Sequence, residues 1–282
     1  MFFSLILATL NRHIEIESCL KSLLNQSEKS FEVIIIDQSE DNCTRLIVEQ
    51  FSQLQIKYLH VDFKGLSKAR NYGLKHAKGE FFCLLDDDAV YSENYLSEAK
   101  KMISGYKNVA LSGRIFSIDD YVTPFVKYGN IKNGKELNIS GIVNYCPSAA
   151  LVFPMDAVQK IGNFNERLGV GNKYASGEET DFLLRMSDSG YRVVFCANMI
   201  VYHPIKPVIS LNGVYNHYLG KGALVKLDYC SRKKIRLIRL IFNNTVGMLI
   251  KALIIDRYNK KLYMTRLKGF VDGVRMFDSG DK

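Results

Sequence analysis

The sequence Phe81-Phe82-Cys83-Leu84-Leu85-Asp86-Asp87-Asp88 places five apolar residues directly before three carboxylates. A short apolar run of this kind is typical of a buried strand, and the charges at its end must leave the core. Three adjacent carboxylates repel one another unless a cation or hydrogen-bond donors neutralise them. Oxygen ligands of this type suit Mg²⁺ or Mn²⁺, and a diphosphate can complete the coordination shell. A solvated acidic loop or a helix N-terminus is the alternative interpretation.

Strand-like and helix-like patterns alternate through the first hundred residues. The predicted strands are Phe2–Ala8, Phe31–Ile36, Ile56–Val61 and Glu80–Leu85, and the predicted helices are His13–Leu24, Cys43–Leu54, Leu66–Ala77 and Ser92–Ser104, the last capped by Ser92. This alternation predicts βαβ units and an α/β fold with a largely parallel sheet. Ligands of such sheets bind at the carboxyl ends of the strands. Thr9-Leu10-Asn11-Arg12, Asp37 and Asp86–Asp88 all follow strands, so we expect them to form one site.

Two common nucleotide-binding classes are disfavoured by the sequence. No G-x-G-x-x-G follows the first predicted strand and no P-loop occurs, which argues against dinucleotide dehydrogenases and P-loop NTPases. Asp37 has the chemistry to accept hydrogen bonds from a base or ribose, or to fix the turn that contains Ser39. Arg70 lies in the predicted helix Leu66–Ala77, from which it could reach a phosphate or pair with a strand-end carboxylate.

Four motifs occur in order along this part of the chain: Ala8-Thr9-Leu10-Asn11-Arg12, Ile36-Asp37-Gln38-Ser39, Ala69-Arg70-Asn71-Tyr72-Gly73 and Gly79–Asp88. Together they resemble the family 2 glycosyltransferases. The resemblance implies the GT-A fold, which is Rossmann-like with a mostly parallel central sheet. It also implies a nucleotide-diphosphate-sugar donor, with a UDP-sugar favoured, a Mg²⁺ or Mn²⁺ cofactor, and inversion at the anomeric carbon. The acceptor is then expected to be a saccharide or a lipid-linked hydroxyl.

The resemblance also assigns roles to single residues. Donor binding falls to Thr9, Asn11, Arg12, Asp37, Arg70, Asp86 and Asp87. Asp86 and Asp88 would be the two ends of the family's D-x-D motif, with Asp88 on the metal. His203 follows the predicted strand Tyr191–Tyr202 and would approach the metal or the diphosphate, and a packed or capping histidine is the alternative. Gln38 stands where the family often has a second Asp, which leaves the base of the donor open.

A second acidic cluster, Gly177-Glu178-Glu179-Thr180-Asp181, opens a predicted helix after a glycine-rich approach. Carboxylates in the first turn of a helix are common because they complement the helix dipole. An inverting sugar transfer also needs a carboxylate that takes the proton from the attacking hydroxyl. The cluster resembles the family's G-E-D-x-D motif, with Glu in place of the second acid. On that basis Glu179 is the predicted base, Glu178 is its rival, and Asp181 has a supporting role.

The middle of the chain is less regular. Val143–Phe153 is predicted as a buried strand interrupted by Pro147, which demotes or bends it. Residues 119–140 are polar and aromatic with few strong signals, and we expect them to form a loop for the acceptor. Met155–Ile161 is predicted as a short helix.

Basic residues are concentrated toward the C-terminal end. From residue 205 on there are 16 Lys and Arg against 5 Asp and Glu, whereas the net charge of the whole chain is +9. Residues 1–205 are predicted as the GT-A catalytic domain and residues 206–282 as a helical appendage. Within the appendage, Leu237–Ile255 is predicted as an amphipathic helix on an anionic membrane surface, and packing of its apolar face on the catalytic domain is the alternative. The basic face consists of Arg232, Arg236, Arg239 and Lys251.

The remaining features limit the setting and the function class. Six scattered cysteines without a C-x-x-C pair indicate a reducing compartment, and Met1–Ala8 is predicted as a strand rather than a signal peptide. Together with the basic tail, this predicts a cytoplasmic protein that is peripheral on the inner face of the cell membrane. No nucleic-acid partner is expected, because no known binding motif occurs. The alternatives are a sugar nucleotidyltransferase, whose usual glycine-rich loop is missing from Leu7–His13, and a membrane-peripheral scaffold with a dead site.

Overall fold

The apolar runs of the N-terminal part form strands, as their composition predicts. The computed structural model describes residues 1–205, 210–232, 234–238 and 260–278. The strands are β1 (Phe3–Thr9), β2 (Phe31–Asp37), β3 (Ile56–His60), β4 (Phe81–Leu85), β5 (Val90–Tyr91), β6 (Val109–Ser117), β7 (Lys135–Glu136), β8 (Leu151–Pro154) and β9 (Arg192–His203). The helices are α1 (His13–Leu24), α2 (Cys43–Val48), α3 (Leu66–Leu74), α4 (Tyr95–Ile103), α5 (Ile139–Tyr145), α6 (Met155–Ile161), α7 (Glu178–Asp188), α8 (Leu211–Arg232) and α9 (Lys260–Met276). The predicted α/β class is confirmed.

The chain forms two compact units. Unit 1 consists of Met1–Lys64, Lys68–Phe164 and Phe182–Ile205. Unit 2 consists of Gly65–Ser67, Asn165–Asp181 and Lys206–Lys282. The nine strands therefore belong to unit 1, and α8 and α9 belong to unit 2.

The nine strands form one sheet in the order β3-β2-β1-β4-β8-β6-β9-β5, and β7 pairs with β9. The strands β3, β2, β1 and β4 run parallel to one another, and β6 runs parallel to β9. Between these two groups, β8 pairs antiparallel with both β4 and β6. A parallel half of this kind, with helices between successive strands, has its ligand-binding edge at the carboxyl ends of the strands.

The register of the parallel strands brings the polar strand ends together. Thr9 at the end of β1 pairs with Asp37 at the end of β2. Leu85, the last residue of β4, pairs with Leu7 of β1, so Asp86 follows at the same edge of the sheet. The edge that the sequence predicted as a site is therefore formed by three neighbouring strands.

The helix predicted over Cys43–Leu54 is shorter than expected, because α2 ends at Val48. Beyond it the chain turns through hydrogen bonds of shorter span, from Gln50 N–H to the Ile47 carbonyl and from Phe51 N–H to the Val48 carbonyl. The turn places the Phe51 side chain in the core of unit 1, where it is 6% exposed. Burial of this ring therefore stops the helix that the local pattern alone would continue.

The prediction of one continuous strand over Val143–Phe153 was wrong. Its first part belongs to α5, whose N-cap Asn138 accepts a hydrogen bond from Gly141 N–H at 2.9 Å. Pro147 has extended backbone angles and separates α5 from a short 3-10 turn, after which β8 begins at Leu151. The proline therefore divides a helix from a strand, whereas the sequence analysis expected it to demote or bend one strand.

The predicted cap of α4 was also wrong. The helix begins at Tyr95 with Asn94 at its N-cap position, and the Asn94 side chain makes no capping hydrogen bond; Gln26 Oε1 instead accepts one from Leu96 N–H at 3.1 Å. Ser92 contributes its backbone instead, because its carbonyl accepts a hydrogen bond from Tyr95 N–H at 2.9 Å.

Three glycines allow the backbones of α8 and α9 to touch in unit 2. A Cβ atom at Gly273 would lie 2.1 Å from the Leu219 carbonyl oxygen, and one at Gly222 would lie 2.1 Å from that of Phe270. A Cβ atom at Gly269 would meet the Tyr215 carbonyl oxygen at 2.4 Å. Since no side chain fits at these distances, the packing of the pair depends on glycine at all three positions.

None of the helices in the described ranges is both long and apolar enough to cross a bilayer. The amphipathic helix predicted over Leu237–Ile255 lies outside the described residues from position 239 on.

Candidate active site

The carboxylates of Asp87 and Asp88 are held by side chains from other strand ends of unit 1. Thr9 Oγ1 donates a hydrogen bond to Asp87 Oδ2 at 2.7 Å. Arg12 contacts both acids, with Nη1 3.1 Å from Asp87 Oδ1 and Nη2 2.5 Å from Asp88 Oδ2. Thr9, Arg12 and the aspartates, which the sequence predicted to meet at one edge, therefore lie together.

Neighbouring aspartates have different pKa values because their surroundings differ. Burial raises the pKa of Asp87 to about 6, against the opposing effect of the Thr9 hydrogen bond and the Arg12 charge. Burial also raises the pKa of Asp88, but the His203 hydrogen bond and charge, together with Arg12, outweigh it and lower the pKa well below its usual range. Asp88 is therefore the firmly ionised member of this pair at neutral pH.

The last residue of β9, His203, faces the aspartates. Its Nδ1 lies 2.8 Å from the Pro204 carbonyl oxygen, an acceptor that fixes the proton on Nδ1. The other nitrogen, Nε2, lies 2.9 Å from Asp88 Oδ1 and 3.9 Å from Asp86 Oδ2. Burial lowers the pKa of His203, but the two aspartates raise it above its ordinary value. The structure thus brings His203 to the acidic cluster, as the sequence predicted.

The donor atoms around His203 suit a hard divalent cation. Carboxylate oxygens of Asp86 and Asp88 and one imidazole nitrogen are ligands that Mn²⁺ accepts, and the carboxylates alone suit Mg²⁺. Across the described parts of the chain, no three His, Cys, Asp or Glu side chains are arranged as a ready-made metal cluster. Arg12 and His203 instead neutralise Asp88 within the protein. The oxygen and nitrogen donor atoms of Asp86, Asp88 and His203 are therefore of the type that a divalent cation binds.

The carboxylate of Asp37 is fully buried at the end of β2. It accepts hydrogen bonds from Ser39 N–H at 2.9 Å and from the Tyr58 hydroxyl at 2.7 Å. Burial and the Asp37 carboxylate together raise the pKa of Tyr58 well above its ordinary value. Asn11, with a φ of +55°, donates its N–H to Ser39 Oγ at 2.8 Å. Asp37 therefore has structural partners in addition to its predicted role toward the nucleoside.

The guanidinium of Arg70 is buried, with an exposed fraction of 1%. Its Nη2 donates to Ser148 Oγ at 2.6 Å and lies 3.7 Å from Asp86 Oδ1. Of the two possibilities that the sequence left open for Arg70, pairing with a strand-end carboxylate is present in the structure.

The second acidic cluster lies in the first turn of α7, in unit 2. Glu178 is 4% exposed and Asp181 is 1% exposed, whereas Glu179 is partly exposed. Gly177 precedes the helix with a φ of +97°, a conformation that favours glycine. A Cβ atom at Gly169 would lie 3.1 Å from Glu178 Cδ, so the glycine-rich approach packs closely on the buried glutamate. Of the two glutamates, Glu179 is the more accessible.

Asp181 is part of a buried ion network within unit 2. Its partner is the Arg232 guanidinium. Arg232 and Arg236 each lie 2.9 Å from Asp228 Oδ1, and Asp228 is fully buried. These two arginines therefore bind carboxylates of their own chain, although the sequence analysis assigned them to a face toward lipid.

Sequence reasoning missed two groups of the site. Tyr58 holds Asp37, and its position on β3, a strand that pairs with β2, was the only signal for it. Arg232 holds Asp181 from 51 positions away in the sequence. The spacing of Asp228 and Arg232 by four residues on α8 was an available signal for an ion pair within that helix, but it did not mark the partner Asp181.

Sequence comparisons agree with this architecture. The profile described as glycosyl transferase family 2 matches residues 4–161. Glycosyltransferase AglE of Haloferax volcanii is 25% identical over 213 residues, which cover 73% of this chain and 68% of AglE. The UDP-Glc:alpha-D-GlcNAc-diphosphoundecaprenol beta-1,3-glucosyltransferase WfaP of Escherichia coli is 27% identical over 160 residues, which cover 54% of this chain and 60% of WfaP.

Solved structures share the fold over nearly the whole chain. TarS 1-349 of S. aureus in complex with UDP-GlcNAc matches with a TM-score of 0.69 and 20% identity, covering 97% of this chain and 82% of that one. The mannosyltransferase PcManGT from Pyrobaculum calidifontis, in complex with GDP-Man and Mn²⁺, matches with a TM-score of 0.67 and 14% identity, covering 98% and 88%. At these identities the likeness shows the fold, which is GT-A.

Proposed function

Because the chain belongs to glycosyl transferase family 2 and is therefore a glycosyltransferase, we propose that it transfers a sugar with inversion from a UDP-sugar to a hydroxyl of a lipid-linked or polysaccharide acceptor. The observation that carries the proposal is the meeting of Thr9, Arg12 and His203 on Asp87 and Asp88 at the carboxyl edge of the sheet. Hydrogen-bond donors and carboxylates at this edge are what a metal-bound nucleotide diphosphate requires.

The comparisons support the choice of substrates. WfaP is named for a UDP-glucose donor and an acceptor on diphosphoundecaprenol, and TarS was solved with UDP-GlcNAc. PcManGT was solved with Mn²⁺, which supports a divalent cofactor. We extend these properties to this chain as part of the proposal.

On the donor side, we assign the metal ligands to Asp86 and Asp88, with His203 as the third. A divalent cation there supplies positive charge that offsets the charge on the leaving diphosphate. Thr9 and Arg12 keep the Asp87 carboxylate turned toward the protein, which leaves Asp86, with a side chain 30% exposed, available to a ligand. Asp37, Asn11 and Arg70 complete the assigned donor site.

On the acceptor side, we assign the general base to Glu179. Its carboxylate takes the proton from the acceptor hydroxyl as the hydroxyl oxygen forms a bond to the anomeric carbon. The bond from that carbon to the diphosphate oxygen breaks, and its electron pair leaves with the diphosphate. Glu179 is favoured over Glu178 because it is partly exposed, whereas Glu178 is nearly buried. Asp181, held by Arg232, supports the turn that carries the base.

Calorimetry with the full chain tests the proposal. UDP-glucose and UDP-GlcNAc are titrated into the protein with Mn²⁺ and, separately, with EDTA. We expect at least one UDP-sugar to bind with Mn²⁺ and to bind at least about tenfold more weakly with EDTA, because a cation held by Asp86 and Asp88 would supply the positive charge that offsets the diphosphate. A protein that binds no nucleotide-sugar in the presence of Mn²⁺ would be the dead scaffold, and the proposal would fail.

We also propose that the protein works at an anionic membrane surface on the inner face of the cell membrane. The support is the excess of Lys and Arg from residue 205 on, together with relatives whose acceptors are carried on undecaprenol. A basic segment is attracted to anionic lipids by about 1 kcal/mol for each Lys or Arg near the surface.

A further inference from the structure

One turn of α8 packs directly against the residues that precede the acids of α7, and all of these residues belong to unit 2. A Cβ atom at Gly220 would lie 2.4 Å from Ser176 Oγ and 2.6 Å from the Ser176 carbonyl oxygen. Ser176 Oγ also donates a hydrogen bond to the His217 carbonyl at 2.7 Å. Ser176 stands three positions before Glu179, so this turn is fixed beside the start of the helix that carries the assigned base.

Basic side chains of α8 and α9 gather around the Tyr218 ring. The Lys221 ammonium lies 5.0 Å from the ring centroid, and the Arg266 guanidinium carbon lies 5.7 Å from it. The His217 ring centroid lies 5.7 Å from that of Tyr218. We call His217, Lys221 and Arg266 the basic cluster.

Within the described residues, no carboxylate forms an ion pair with any member of the basic cluster. Burial and the charge of Arg266 lower the pKa of Lys221. The charge of Glu179 acts in the opposite direction and raises the pKa of Lys221, but it does not outweigh them. Arg266 Nε is buried, and no described group accepts its hydrogen bond. Among the described residues, positive charge is therefore concentrated here beyond what their own carboxylates compensate.

We propose that Lys221 and Arg266, with His217 beside them, bind a phosphate group of the acceptor next to Glu179. The inference rests on the proposed function and adds that the acceptor is anionic, as a saccharide on a lipid diphosphate is. A phosphate accepts hydrogen bonds from an ammonium and a guanidinium at once, which matches the two side chains of the cluster. Its charge would also offset the repulsion between these two cations. Neutral saccharides would make neither interaction.

The test uses the full chain in EDTA, so that no metal can recruit a diphosphate to the aspartates. Inorganic pyrophosphate and farnesyl diphosphate, a short lipid diphosphate, are titrated by calorimetry into the wild type and into Lys221→Gln, Arg266→Gln and Lys268→Gln. Lys268 is the matched control because it is an exposed lysine on α9, outside the cluster. We expect both probes to bind the wild type and the control alike, and to bind each cluster variant about tenfold more weakly, since each loses a charged partner of the phosphate.

A second measurement separates the acceptor from the donor and from misfolding. UDP affinity in the presence of Mn²⁺ is measured for the same four proteins, and we expect it to be equal in all of them. Pyrophosphate affinity that is unchanged in Lys221→Gln and Arg266→Gln would overturn the inference. A parallel loss of Mn²⁺-dependent UDP affinity would assign the cluster to the donor and would also overturn it. Failure of the proposed function can be distinguished from failure of this inference, because in the former case the wild type itself would bind no UDP-sugar.

Discussion

Asp86, Asp87 and Asp88 follow one another in the chain, yet each carboxylate has different partners. Asp87 accepts a hydrogen bond from Thr9 and forms an ion pair with Arg12, so it connects the ends of β1 and β4. Asp88 is shared between Arg12 and His203, and Asp86 is the most exposed of the three. The alternation of side-chain direction along the backbone therefore separates two candidate ligands from one structural residue.

Asp88→Asn is expected to abolish metal-dependent donor binding. The substitution removes the charge that His203 and Arg12 share, and an amide is a weak ligand for Mn²⁺. In calorimetry with Mn²⁺ and UDP, we expect the affinity to fall by at least about a hundredfold, because losing even a residue that only orients a metal ligand costs about ten- to hundredfold. Asp62→Asn, an exposed acid of the same unit, is the control and should bind as the wild type does. Equal affinity in Asp88→Asn would remove this residue from the metal site.

Glu179→Gln is expected to stop turnover while leaving donor binding intact. An amide cannot take the acceptor proton, so we expect the transfer rate to fall by about a hundredfold to ten-thousandfold. Glu178→Gln serves as the comparison, because its side chain is nearly buried and does not reach solvent as Glu179 does. Transfer of radiolabelled sugar and Mn²⁺-dependent UDP affinity are measured for both. If Glu178→Gln loses turnover and Glu179→Gln keeps it, the base is Glu178.

The sequence predicted those site residues that local patterns mark. Thr9 and Asp37 each end an apolar strand, Asp88 follows one, and neighbouring parallel strands end at one edge, so their meeting followed from local information. Tyr58 and Arg232 could not be found in this way. Each contacts a residue distant in the sequence, Asp37 for Tyr58 and Asp181 for Arg232, and only the folded chain defines which residue that is.

Helices and strands were predictable where a single helical or strand-like pattern of apolar residues extends over the whole segment. The strands β1, β2 and β4 are mainly apolar, and helix His13–Leu24 has the predicted bounds. The segment Val143–Phe153 was mistaken because its apolar residues serve two elements in turn. Val143 is partly buried on α5, whereas Val152 is buried on β8, and a continuous apolar run does not show where one period replaces the other.

Gly273→Ala is expected to destabilise the pairing of α8 and α9. The added methyl group would lie 2.1 Å from the Leu219 carbonyl oxygen, so the two backbones must separate. Overpacking of this kind costs about 1–3 kcal/mol in the free energy of unfolding. Urea denaturation followed by circular dichroism measures it. Gly105→Ala is the control, because the nearest atom to its added methyl group is 3.5 Å away. Equal midpoints for the two variants would show that the close approach of the helices is not required.

The ion pair between Glu28, before β2, and Lys100 of α4 is expected to make stability depend on pH. The hydrogen bond from Lys100 is the largest cause that lowers the pKa of Glu28 from 4.5 to about 2. Because the folded protein holds the proton less tightly than the unfolded chain, the stabilisation is complete above about pH 4.5 and is lost as the pH falls toward 2. Solvent screens the pair, so we expect Glu28→Gln to cost about 1 kcal/mol at pH 6.

This cost should shrink as the pH falls through that window. Urea denaturation of the wild type and of Glu28→Gln at pH 6 and pH 3 measures it. Glu17→Gln, which removes an exposed acid of the i,i+4 pair with Lys21, is the control with a smaller cost. A difference between wild type and Glu28→Gln that stays constant across the two pH values would contradict the assignment.

At the scale of the whole chain, charge is divided between internal and external tasks. Arg232 forms ion pairs with the buried Asp181 and Asp228, and Arg236 forms one with Asp228. Lys221 and Arg266 are assigned to the phosphate of the acceptor. From residue 205 on, Lys and Arg outnumber Asp and Glu by more than the four basic residues named here. Arg239 and Lys251 remain, by sequence, for the proposed anionic membrane surface.

The double variant Arg239→Gln/Lys251→Gln is therefore expected to bind anionic vesicles more weakly than the wild type. Each basic residue near such a surface contributes about 1 kcal/mol, so the loss of two should lower the partition coefficient by roughly thirtyfold. Sedimentation with phosphatidylglycerol vesicles measures the coefficient, and phosphatidylcholine vesicles give the uncharged reference. Lys21→Gln/Lys101→Gln, which removes two exposed lysines of unit 1, controls for net charge and should keep most of the binding. Equal losses in both double variants would show that overall charge, and not this segment, brings the protein to the membrane.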